Sequence, residues 1–101
     1  MKIVVDADGR IELLAAADFT SLNVETPDSV RSSLDAALTA ADWGYFDGSH
    51  AWLSIPELQS QIIGTPSKDI AGDFDGMIGY ARGKGWVSDD GSHVRAHCEW
   101  T

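Results

Sequence analysis

Apolar and polar residues alternate from the start of the chain, with Ile3, Val5, Ile11 and Leu13 set on either side of Asp8-Gly9. Alternation puts every second side chain on one face, and Asp-Gly supplies a turn with positive φ, so the pattern predicts an N-terminal hairpin over residues 1–14. Residues 15–25 carry no period and read as a connection. The spacing then shifts to three and four. Val30, Leu34, Ala37, Leu38 and Ala41 predict a helix over 27–42, opened by Thr26-Pro27 and ended by Gly44. Trp43 to Ile55 reads as two short strands around Asp47-Gly48, with Ala51, Leu53 and Ile55 on one face and Trp52 and Ser54 on the other. A short helix over 56–63 starts at Pro56 and stops at Gly64. A longer one over 67–84 is opened by Thr65-Pro66, and a last hairpin turns at Asp90-Gly91. Strands and helices in this order define one α+β domain.

The helix over 67–84 carries two opposed stripes. Ile70, Phe74, Met77, Ile78 and Ala81 share one side, whereas Gly72, Gly76, Gly79 and Gly83 share the other. Each glycine inside a helix costs roughly 1 kcal/mol against alanine. Aligned, they leave a smooth groove that lets another backbone approach closely. The sequence allows three occupants: helix 27–42 or 56–63 of the same chain, a second copy, or a flat ligand.

Seven basic residues against sixteen acidic ones give a net charge of −9. That balance opposes phosphate backbones and anionic membranes and suits protein partners, so nucleic acid is disfavoured as a ligand. Cys98 is the only cysteine, which excludes a disulfide framework and a thiolate cluster. No apolar run approaches the roughly 18 residues of a membrane span, and the first residues lack a secretory pattern. The expectation is a cytoplasmic protein that needs no cofactor and binds no metal.

From Leu53 onward a short strand leads into a helix, a Gly-Thr-Pro turn, a second longer helix, and the segment Val87 to His97 in the place of a wing. With helix 27–42 as the first of a bundle, this order resembles a winged helix-turn-helix domain over residues 27–97, with an extra N-terminal hairpin. The resemblance implies a fold, and in DNA-reading relatives the second helix supplies Arg, Lys, Asn or Gln to base edges. Here that helix offers Asp69, Asp73 and Asp75 against Lys68, Arg82 and Lys84, with glycine on its outward face and acids at the wing tip.

Two constellations carry chemistry. His93, Arg95, His97 and Glu99 alternate, so an extended strand presents them together while Val94, Ala96, Cys98 and Trp100 line the reverse face. A histidine to move a proton, a carboxylate to orient it and an arginine to hold an anion form the kit of a cofactor-independent isomerase or lyase, here His97, Glu99 and Arg95. The same face also reads as an ordinary solvated strand. Trp52, set opposite Leu53 and Ile55, is an interface anchor or the lid of a small second core. In addition Trp43-x-x-x-Asp-Gly-Ser-His recurs from Trp86, with His50 and His93 at matching places.

The function these residues favour is a small acidic, non-enzymatic interaction or regulatory module. It is homodimeric, meets a second copy or a protein partner through Gly72, Gly76, Gly79, Gly83 and Trp52, and has no membrane role. The isomerase or lyase is the alternative, and a DNA-binding transcriptional regulator is the second.

Overall fold

In the computed structural model, which describes residues 1–66 and 68–101, a six-stranded sheet runs in the order β2-β1-β3-β6-β5-β4. The strands are β1 (Lys2–Val5), β2 (Ile11–Leu14), β3 (Asn23–Thr26), β4 (Gly44–Phe46), β5 (Ala51–Ser54) and β6 (His93–Trp100). The helices are α1 (Leu34–Ala40), α2 (Ile55–Ile62) and α3 (Ile70–Gly83). The protein is thus of the mixed α+β class, and no helix among the described residues is long and apolar enough to cross a membrane.

Alternation decides which face is buried. Ile3, Val5, Val24, Ala51, Leu53, Val94, Ala96 and Cys98 all point one way, and Leu34, Leu38, Leu58, Ile62, Phe74 and Ile78 of the three helices close over them. The opposite face carries Lys2, Asn23, Glu25, Trp52, Arg95, His97 and Glu99.

Several expectations need correction. The helix predicted over 27–42 is α-helical only in its second half; Asp28–Ser33 is a tighter 3-10 turn broken at Val30 (φ −112°, ψ 17°). The Ser33 hydroxyl donates to the Val30 carbonyl at 3.0 Å. Serine competes in this way with the helix's own backbone bonds. The stretch 15–25 ends in a strand, β3, which pairs in parallel with both β1 and β6 and so occupies the sheet centre. Its burial comes from these neighbours and not from any period of its own. Consequently the N-terminal hairpin is no appendage: Ile3 and Val5 of β1 are core residues.

The expected final hairpin is reduced to a single bridge, Val87↔Val94. Its long strand does not project as a wing; β6 lies between β3 and β5. The longer helix begins at Ile70, because the Asp69 carboxylate caps it by accepting from the Gly72 N–H at 3.1 Å. The predicted first residue, 67, lies outside the described residues. The α2 helix runs as expected within a residue, capped by Ser54, whose hydroxyl accepts from the Glu57 N–H at 3.3 Å.

The recurrent Trp-to-His segment has a matching geometry in both places. Each helix closes on a residue of positive φ, Asp42 (57°) and Gly85 (78°), and the tryptophan that follows donates its N–H five residues back, Trp43 to Leu38 and Trp86 to Ala81, at 2.9 Å in both. These bonds cap the last helical carbonyls. The strands that leave the two turns, β5 and β6, are antiparallel neighbours with Ala51↔Ala96, Trp52↔Arg95 and Leu53↔Val94 in register. In the sequence echo Ala51 matches Val94, Trp52 matches Arg95 and Leu53 matches Ala96. The pairing therefore has a local twofold centred on Trp52 and Arg95.

Candidate functional site

The β6 strand positions the residues of most chemical interest. One edge of it is shared by two partners that approach from opposite ends. Residues 86–88 pair with its beginning, where the Arg95 N–H donates to the Trp86 carbonyl at 2.7 Å and the Ser88 N–H to the His93 carbonyl at 2.9 Å. Pairing resumes at β3, whose Asn23 lies beside His97. Between them the edge forks, and a cavity of about 290 Å³ opens there.

Three pieces wall this cavity. The loop before β3 supplies Phe19, Thr20, Ser21 and Leu22; α3 supplies Met77, Tyr80 and Ala81; the turn into β6 supplies Trp86. Val94, Arg95 and His97 of β6 and His50 beside β5 complete the lining. The loop is held from beneath by the Met1 amino group, which donates to the carbonyls of Asp18 (2.6 Å) and Ser21 (2.9 Å). The Tyr80 and Trp86 rings meet edge to face with centroids 6.2 Å apart, and the Arg95 guanidinium lies 5.6 Å from the Trp86 centroid.

The structure divides the residues expected on the outer face of β6. Arg95 and His97 reach the cavity, and His50 joins them. Glu99 does not: its carboxylate accepts from the Asn23 side-chain amide at 3.0 Å, next to the Lys2–Glu25 ion pair of 2.8 Å. His93 is drawn into its own turn, with its ring nitrogen 2.6 Å from the Ser92 hydroxyl and its ring against Tyr45. Cys98 faces the core, and burial raises its thiol pKa, the opposite of what a nucleophile needs. Among the described residues no three of His, Cys, Asp and Glu are gathered as a metal site.

Trp52 is fixed by its own hairpin. Its indole N–H donates to the Asp47 carboxylate at 2.8 Å and its ring stacks near Tyr45. Phe19, Met77, Tyr80 and Trp86 were not marked by sequence as a cavity, because the loop that brings Phe19 to α3 has no pattern of its own.

The second candidate surface is the outward side of α3. Gly72 is explained locally, since a Cβ there would lie 2.3 Å from a carboxylate oxygen of its cap, Asp69. Gly76, Gly79 and Gly83 are different. A Cβ on any of them would meet nothing within 4 Å, and all three are exposed. Among the described residues no other helix therefore packs on Gly76, Gly79 or Gly83. The opposite stripe is the buried one, with Phe74, Ile78 and Ala81 in the core.

Comparison with protein-family models, with curated proteins and with solved structures finds no match.

Proposed function

We propose that this chain is a small acidic interaction module that acts without catalysis and pairs with a second copy of itself through α3. The observation that carries this reading is the open glycine face. Three exposed helical glycines with no neighbour cost roughly 1 kcal/mol each in a lone chain. A facing backbone at close range gives them a role that intrachain packing does not.

The charges beside the stripe favour a second copy as the occupant. At 100° per residue, Asp73 and Lys84 lie on one flank of the glycines, and Asp75 and Arg82 on the other. The acids stand toward the N-terminal end and the bases toward the C-terminal end. An antiparallel, twofold pair therefore sets Asp73 beside Lys84 of the other copy and Asp75 beside its Arg82. Gly72 and Gly76 then oppose Gly83 and Gly79. Such a surface is self-complementary, as a twofold interface requires. The exposed ion pairs contribute register more than affinity, at about 0.2–1 kcal/mol each. Trp52 and the acidic remainder of the surface are left for a further protein partner.

Neither alternative gains support. Glu99 is engaged by Asn23 and not by His97, and the net charge of −9 still opposes DNA. The test is Gly76→Leu, which places a bulky side chain into open space in a lone chain but into the facing backbone in a pair. The variant is expected to keep its circular dichroism spectrum while its sedimentation shifts from dimer to monomer. Unchanged sedimentation in a folded variant contradicts the α3 interface.

A further inference from the structure

We propose that the cavity at the fork of β6 binds a small organic anion with a flat apolar body, of the aryl carboxylate class. The inference is independent of self-association and rests on the lining of the cavity.

Charge is the first argument. The chain holds sixteen acidic residues against seven Lys and Arg, yet no Asp or Glu lines this cavity, whereas Arg95, His50 and His97 do. Among the described residues the ion pairs are Lys2–Glu25 and Arg31–Asp28, so Arg95 has no carboxylate partner. A guanidinium with unused donors presents the planar fork that fits a carboxylate, and the apolar walls around it have a lower dielectric constant than water and strengthen the attraction. His50 and His97 stand on the same lining, and each imidazole carries an N–H donor.

Shape and chemistry of the walls supply the rest. Phe19, Tyr80 and Trp86 are aromatic and Met77 is a soft, adaptable filler, which together suit a ring more than an aliphatic chain. An apolar cavity of about 150 Å³ takes benzene. At about 290 Å³ this one has room for a fused two-ring body with its carboxylate turned to Arg95. The Arg95 side chain already lies against the Trp86 ring, so its position is set before a ligand arrives.

The probe is 1-naphthoate, titrated into the full chain and followed by amide and indole chemical shifts, with neutral 1-naphthalenemethanol as the control. Saturable shifts are expected at Thr20–Leu22, Met77–Ala81, the Trp86 indole and Val94–His97, with the neutral alcohol at least about tenfold weaker because it forgoes the charge-assisted bonds. Arg95→Gln is expected to weaken naphthoate by about tenfold or more and to leave the alcohol unchanged. Met77→Trp, which fills the cavity and keeps the charge, is expected to abolish both, and it serves should Arg95→Gln not fold. Equal binding of acid and alcohol, naphthoate affinity unaltered in either folded variant, or no shift at the cavity at millimolar naphthoate overturns the proposal.

Discussion

Asp47 and Asp90 occupy the same place in the two Asp-Gly-Ser-His turns, and both carboxylates are held by local donors. Asp47 accepts from the His50 N–H, the Trp52 indole and the Ser49 N–H, each at 2.8 Å, which lowers its pKa from 3.8 to about 2. Asp90 accepts from the Ser92 hydroxyl (2.6 Å), the Ser88 hydroxyl (2.8 Å) and the Ser92 N–H (3.0 Å), with the same result of about 2. A carboxyl whose folded pKa lies below its unfolded value contributes stability above the unfolded value and loses it as pH falls to the folded one. The window here is from about pH 4 down to about pH 2. Urea midpoints across that range should fall less steeply in an Asp47→Asn, Asp90→Asn double variant than in the parent chain; equal slopes would show that these turns do not hold their charge. Both aspartates could be read from the sequence as turn residues, since Asp-Gly has a local cause. That the Trp52 indole would complete the Asp47 site could not, because it depends on the pairing of β4 with β5.

At the scale of elements, glycine has opposite meanings in two places. Gly44, the first residue of β4, has φ 141°, and a Cβ on it would lie 1.9 Å from the Trp52 carbonyl oxygen. That atom is backbone in a paired strand and has nowhere to go. Gly44→Ala should therefore destabilise the chain by about 3 kcal/mol or more, read as a lowered thermal midpoint; a change below about 1 kcal/mol would mean the β4–β5 hairpin relaxes freely. The helical glycines Gly76, Gly79 and Gly83 make no such demand inside the chain. The sequence revealed the elements with a strong period or a cap, namely β1, β2, α2, α3 and the two faces of β5 and β6. It did not reveal β3, whose buried Val24 and Thr26 become strand residues only between β1 and β6. Nor did it reveal the break before α1, where Ser33 and Val30 favour a tighter turn. Of the expected catalytic set, Arg95 and His97 line one cavity, whereas the Asn23 amide that engages Glu99 comes from β3 and was hidden with it.

At the scale of the molecule, the glycine side of α3 and the Arg95-lined fork in β6 have no intrachain purpose among the described residues, and Tyr80 borders both. Tyr80 is 63% exposed, on the flank of the glycines, while it also walls the cavity. The two proposals are nevertheless separable, since one concerns mass and the other a small anion. Self-association accounts for three helical glycines that have no intrachain neighbour among the described residues. The most direct test is sedimentation equilibrium of the unaltered protein over a micromolar concentration series at physiological salt. A mass of twice 10.9 kDa, falling toward 10.9 kDa only on dilution, is the predicted result. A mass of 10.9 kDa throughout would contradict self-association and leave the glycine face of α3 without a partner of its own kind.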